Sequence, residues 1–253
     1  MKKYVFLVFL FIPLFSFIKS EENNHKSGEK LIYSGSYNMS GLMTPLAQVI
    51  MSTKTISTSK NSYLHLNCEL ATYSKWDSFF KIRDIYEAYV NPSTLKPSLY
   101  KRNINEGGYT KSEKYVFKNN NVTSTVQKRN RPEVVKNFQI GNSTQDVISL
   151  FYKIRTLDFS GMKVGQSKSF VIVFDEKEIP VTLKYLGNET VSAANLGKKV
   201  CHKLSIGAKT NALKGKDQNL IWLTADSQKV PVLLKFNIPV GNGQLVLTSA
   251  TGI

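Results

Sequence analysis

Hydrophobic and polar positions alternate with a period of two along most of the chain, and in one stretch the period lengthens. Ile179, Val181, Leu183 and Tyr185 alternate, as do Val200, His202, Leu204 and Ile206, the signature of strands with one buried face. Between Asn142 and Gln166 the apolar residues fall instead at Val147, Leu150, Phe151 and Ile154. Those i, i+3, i+4 and i+7 positions share one face of a helix. Ser143 followed by Asp146 reads as a capping-box variant, with Thr144 as a second candidate cap, and Gly161 and Gly165 turn the chain back toward strands. The spacing predicts one amphipathic helix over about 144–156. Such a helix cannot bury its apolar stripe unaided, so it must lie on a sheet supplied by the rest of the chain.

The strand pattern is dense enough to supply that sheet. Extended segments are expected at Leu31–Tyr37, Lys54–Ser59, Tyr63–Leu66, Ser78–Val90, Leu99–Asn103, Tyr115–Lys118 and Val122–Gln127 before the helix. Met43–Ile50 fits either a strand or a short helix. After the helix come Ser169–Phe174, the charged turn Asp175–Glu178, the two alternating runs above, Leu220–Thr224, Val230–Phe236 and Gln244–Thr248, with Gly241-Asn242-Gly243 as a hairpin signal. No Ser/Gly/Pro linker divides the chain, so residues 28–253 are expected to form a single antiparallel β domain. A sheet of so many strands would expose long edges if left flat. The expected fold is therefore mainly β, a curved antiparallel sheet or partial β-barrel with one amphipathic helix packed on it.

The first residues carry an address. Lys2 and Lys3 precede an apolar run from Val5 to Phe17, and Ser20 is a small residue suited to cleavage before the polar Glu21-Glu22. The run is shorter than the ~20 residues a spanning helix needs, so 1–20 reads as a secretory signal peptide, 21–27 as a disordered tail, and the protein as exported to the periplasm or cell envelope. Loss of Lys2, Lys3 and Lys19 takes the net charge from +16 to +13. No second long apolar run follows, so no transmembrane segment is expected after cleavage.

That positive charge does not point to nucleic acid. Of 34 basic residues only five are Arg, and the lysines are spread along the whole chain, whereas phosphate and base recognition favours clustered Arg with aromatics. The dense patch is Lys128-Arg129-Asn130-Arg131, ahead of Pro132. It is either a solvated loop or a site of salt-dependent attraction to anionic envelope polymers or lipid headgroups. Cys68 and Cys201 are 133 positions apart. They form no framework, and either pair in an oxidising compartment or remain buried thiols.

Several phrases together resemble the bacterial exported domain-of-unknown-function family 3108. They are Gly28-Glu29-Lys30-Leu31-Ile32-Tyr33 with Tyr37, the helix phrase Asp146–Arg155, Ile221-Trp222-Leu223-Thr224 with Asp226, Lys229-Val230-Pro231-Val232, and Pro239-Val240-Gly241. The resemblance runs over roughly residues 28–250. It implies an exported envelope protein built mainly of antiparallel strands, and it supplies no catalytic residues to transfer.

Motifs for catalysis, metals or cofactors are not found. His25, His65 and His202 are isolated, without ligand spacing, and no nucleophile elbow, zinc motif, C-x-x-C or P-loop occurs. Asp84, Glu87, Asp146 and Asp226 are the raw material for a glycan-hydrolysing carboxylate pair, as any chain with 18 acidic residues would offer. Asp146, Ser149, Tyr152 and Arg155 are three apart and wind around the helix. Their structural account is a cap at Asp146 and an Arg155 tied to strand carboxylates or carbonyls. Their functional account has Tyr152 and Arg155 recognising an anionic headgroup. Trp222 beside Asp226 carries the same pair of readings. The candidate ligand-binding residues are Tyr152, Arg155 and Trp222. The leading expectation is a non-enzymatic binding protein for an apolar or lipid-like ligand, with no cofactor. The alternatives are an interaction module docking to anionic envelope polymers and an unrecognised glycan hydrolase.

Overall fold

The computed structural model describes residues 25, 27–208, 219–238 and 241–253. The expected signal peptide lies outside the described residues. Within the segment read as a disordered tail, the described residues are held. His25 Nε2 donates to the Tyr152 carbonyl at 2.8 Å, and Ser27 Oγ accepts from the Thr55 amide at 3.0 Å.

A meander of eight strands comes first: β1 (Lys30–Met39), β2 (Leu42–Ser57), β3 (Ser62–Thr72), β4 (Arg83–Val90), β5 (Pro97–Glu106), β6 (Tyr109–Lys118), β7 (Asn121–Lys128) and β8 (Val134–Gln139). The helix α1 (Val147–Arg155) follows. Six more strands complete the chain: β9 (Ser167–Phe174), β10 (Lys177–Ser192), β11 (Lys198–Ala208), β12 (Leu220–Thr224), β13 (Pro231–Ile238) and β14 (Gly241–Thr251). All ladders between these strands are antiparallel, and β14 pairs with β1, so the two halves fuse into one sheet.

The expected curved sheet or partial β-barrel is corrected by the ladder order. The strands run β8 to β1, then β14 to β9, as an open sheet with β8 and β9 at its two edges and no ladder joining them. The edge of β9 meets the segment just before the helix instead. Gln145 pairs with β9 in parallel, its amide donating to Val171 O at 3.0 Å and its carbonyl accepting from Val173 N at 2.8 Å. Those backbone groups of the β9 edge are thereby occupied by the segment that leads into the helix, not by β8.

The helix is buried more completely than a stripe lying on a sheet. Ile148 and Tyr152 pack into a cluster with Leu66, Ala88 and Tyr100 of the first half. Leu150 and Ile154 pack with Val181, Leu183, Leu204 and Ile221 of the second. Val147 and Phe151, expected on the buried face, are only half-buried. α1 is therefore a wedge between two apolar surfaces. Its N-cap is Asp146, which accepts from the Ile148 and Ser149 amides at 2.8 Å each, while the Ser149 hydroxyl receives the Asp146 amide. The capping box is thus Asp146 with Ser149; Thr144 bonds to Glu178 instead.

Three other expectations change. Ser78–Phe80 is loop, because Asp77 folds back to accept from Thr72 Oγ1 at 2.7 Å and Arg83 Nη2 at 2.6 Å. Gly241-Asn242-Gly243 begins β14, with Gly241 opposite Ile238. Strand β8 was not expected at all.

Candidate functional site

Tyr152 and Arg155 come together at the helix C-terminus, where they join helix to sheet. Arg155 is buried and makes a two-pronged bond to Glu29, at 2.8 and 2.6 Å, and also donates to the carbonyls of Lys229 at 3.2 Å and Gln228 at 3.3 Å. Its guanidinium lies 5.2 Å from the Tyr152 ring centroid. Burial alone would lower the Arg155 pKa, but the hydrogen bonds and charge of Glu29 hold it above its ordinary value. The structural account of this group thus has its partners: a cap at one end of α1, an ion pair at the other. The Tyr152 hydroxyl is buried with no hydrogen-bond partner among the described residues.

Trp222 is buried on β12, in the same apolar cluster as Tyr152. Ile221 and Leu223 face the α1 cluster, while Trp222 points to the other side of β12, with Lys203 and Lys235 over its ring at 5.2 and 5.5 Å. Its indole donates to Glu189 at 3.2 Å. Among the described residues it shares no hydrogen bond or ring contact with Tyr152 or Arg155.

Sequence reasoning missed a second buried arginine. On the inward positions of β5 and β6 the apolar side chains give way to charge: Arg102 follows Tyr100, and Glu113 precedes Tyr115. Arg102 Nη2 lies 2.8 Å from Glu113 and also bonds Asp175, from the turn between β9 and β10. Lys111 bridges the same two carboxylates at 3.0 and 2.7 Å. Glu176 accepts from Ser124 at 2.8 Å and Lys136 at 2.5 Å, and the Arg102 guanidinium sits 4.3 Å from the centre of the Phe174 ring. Partial burial pushes the Asp175 carboxyl up, but Lys111 and Arg102 outweigh it and hold Asp175 below its ordinary pKa. The only sequence signal for this group was charge in slots whose i±2 neighbours are apolar.

These residues line a cleft of about 450 Å³ with Ile104, Glu106, Tyr109, Val126 and Lys128. Arg102 Nε has no hydrogen-bond partner among the described residues. On the same wall, burial and then the neighbouring Asp84 push the Glu106 carboxyl pKa up, while Asp84 accepts from the Asn105 amide at 2.9 Å. The Lys128-Arg129-Asn130-Arg131 patch forms the turn between β7 and β8 at the mouth of this cleft. Lys128 and Arg131 continue into an adjoining groove of about 220 Å³ with Lys136 and Glu176.

The remaining candidates are dispersed. Glu87 bonds His65 at 2.9 Å, Asp226 accepts from Thr224 at 2.7 Å within a turn, and Asp146 is the cap, its pKa raised by burial to about 6. His202 packs against Phe159 and Tyr185. Cys68 and Cys201 are free thiols, raised by burial to about 12 and about 11. Among the described residues no group of three or more metal-type side chains is gathered, and no helix is long and apolar enough to cross a membrane.

The family described as "Protein of unknown function (DUF3108)" matches residues 33–248. No curated protein matches the chain. Among solved structures, a "Beta-barrel-like Protein of Domain of Unknown Function DUF1849" from Brucella abortus is similar at a TM-score of 0.59 and 9% identity, over 89% of this chain and 97% of that one. A "putative lipoprotein" from Parabacteroides distasonis gives a TM-score of 0.36 at 8% identity, over 89% and 96% of the two chains. A "putative exported protein with YmcC-like fold" from Bacteroides fragilis gives 0.35 at 10%, with the same coverage. The Brucella likeness concerns the fold alone.

Proposed function

The chain belongs to the DUF3108 family of proteins of unknown function, and on that premise we propose that it is an exported, non-enzymatic binding protein of the bacterial envelope that takes an anionic group in its polar cleft. The observation that carries this reading is the position of the basic patch: Lys128 lines both the Arg102 cleft and the adjoining groove, with Arg131 and Lys136 beyond it. Lys128, Arg131 and Lys136 would attract phosphate- or carboxylate-bearing groups to the groove side of the volume, while Glu106, Glu113, Asp175 and Glu176 share the cleft lining. Arg102, already held by two carboxylates and with Nε unengaged, is a fixed donor at the base of that volume.

A ligand with an apolar body is less well served. The space between the two halves of the sheet is filled by α1, and the volume beside it is walled largely by charge. Headgroup recognition therefore suits the cleft better than enclosure of a lipid tail. Three of the four carboxylates offered for hydrolysis are engaged as a cap, a histidine partner and a turn acceptor, while Asp84 stands beside Glu106 at the cleft wall. The basic-then-apolar N-terminus supports export.

The test uses dextran sulfate as a soluble polyanion and phosphatidylglycerol vesicles as a headgroup surface, each titrated at increasing salt. Binding should weaken with salt, and Lys128→Glu with Arg131→Glu should lower affinity for at least one probe by roughly ten-fold or more. Dextran sulfate affinity unchanged by the double reversal would remove the cleft from the account.

A further inference from the structure

Successive turns of an antiparallel meander fall at alternate ends of the sheet, so those after β1, β3, β5 and β7 share one end. Leu42 is 74% exposed and Phe79 81% exposed at that end, with Met39, Met43 and Phe80 also exposed. They form two apolar tips, the β1–β2 hairpin that projects beyond β3 and the loop after β3, and large apolar side chains exposed to water at one end of a folded domain mark a surface meant to be covered.

The group is built, not frayed. The loop carrying Phe79 and Phe80 is closed by amides of both residues donating to the Trp76 carbonyl, at 3.0 and 2.9 Å, and by the Asp77–Arg83 ion pair. It is tied to β2 through Tyr73 N to Leu46 O at 2.9 Å and Trp76 Nε1 to Pro45 O at 3.0 Å. Phe80 rests on the next turn, where a Cβ added to Gly107 would lie 2.6 Å from its ring. The fourth turn joins through Arg129, whose amide donates to Thr110 O at 2.8 Å and whose guanidinium lies 5.4 Å from the Tyr109 ring.

Around these apolar tips stand Lys75, Lys81, Lys128, Arg129 and Arg131, all exposed. Asp77, the one acidic residue between Tyr73 and Ile82, is neutralised by Arg83. We propose that this end of the β1–β8 meander docks on an anionic lipid bilayer: Leu42, Met43, Phe79 and Phe80 enter the interface while the five cations hold its headgroups. Apolar side chains beside lysines and arginines give two additive contributions, burial in the acyl boundary and attraction to anionic lipid. A second copy of the chain is a poorer occupant, because it would bring the same five cations face to face. The proposal goes beyond the cleft reading and uses apolar residues that reading does not need.

The test is co-sedimentation of the mature chain with phosphatidylcholine vesicles made with and without phosphatidylglycerol. Binding is expected only to the anionic vesicles. Leu42→Ser with Phe79→Ser should lower partitioning by roughly ten-fold or more, with dextran sulfate binding unchanged. Lys75→Glu with Lys81→Glu should lower it by a similar factor. All four positions are at the surface, and thermal unfolding of each variant confirms that the fold is kept. Equal binding to neutral vesicles, or wild-type partitioning by the Leu42/Phe79 variant, overturns the proposal, as does a wild-type dimer dissolved by Leu42→Ser. Dextran sulfate binding without any vesicle binding overturns this proposal and leaves the cleft reading standing.

Discussion

Two arginines are buried against the inner face of this sheet, and they are used differently. Arg155 sits where Glu29 enters β1, with a paired carboxylate and two carbonyls, and it fixes α1 between the halves. Arg102 sits toward the opposite end, shares Glu113 and Asp175 with Lys111, and opens on a polar cleft. The turns repeat the contrast. Those after β2 and β6 are built of Thr, Ser, Asn and Lys, the one after β4 adds Pro92 and a buried Leu95, and none exposes a large apolar side chain, whereas those after β1, β3 and β7 carry the apolar tips and the basic patch. One end of the meander is closed for stability, and the other is left open with charge and apolar surface that folding does not consume.

The largest effect is expected at the closed end. Glu29→Ala would leave Arg155 buried and unpaired, at a cost of about 3–5 kcal/mol. Urea unfolding at neutral pH measures it, and Glu29→Leu combined with Arg155→Met should recover much of the loss. A loss within 1 kcal/mol (the scale of a surface pair) would mean that Arg155 does not pin the helix. Glu113→Ala should cost less, about 1–3 kcal/mol, because Arg102 and Lys111 keep Asp175. If the two losses are equal, the ends do not differ in the way described.

Legibility in the sequence followed the same division. The helix and its Asp146 cap were readable because period and capping chemistry are local, and Arg155 was readable as a tie to strand groups. Its partner Glu29 was not, being 126 positions away in a segment that looks like a polar lead-in. Strand β8 escaped because Val134–Gln139 is exposed on both faces and shows no alternation between core and water. Arg102 and Glu113 were passed over because each lies in a slot that alternation assigns to the core. The openness of the sheet could not be seen, since the order of strands at its two edges is set by non-local pairing that alternation does not encode.

A smaller and local effect should mark the closed end in its response to pH. Burial, followed by the charge of Arg155, lowers the His25 pKa to about 4. The unfolded chain therefore takes up the proton first. The contribution of His25 is complete above its ordinary value of 6.5 and is lost as pH falls from there toward about 4. A histidine proton titration by NMR should give one midpoint near 4; a midpoint near 6.5 for His25 would mean that its burial beside Arg155 is not maintained in solution.

The contrast between the two ends is tested most directly by spin labels placed on each. Leu42→Cys and Ser93→Cys put a label at an apolar tip and in the turn between β4 and β5, and collision with a water-soluble relaxant reports depth in phosphatidylglycerol-containing vesicles. The label at position 42 should be shielded and the label at 93 should stay fully accessible. Equal accessibility at both positions, with the protein bound to the vesicles, would contradict the assignment of the basic end as the docking surface.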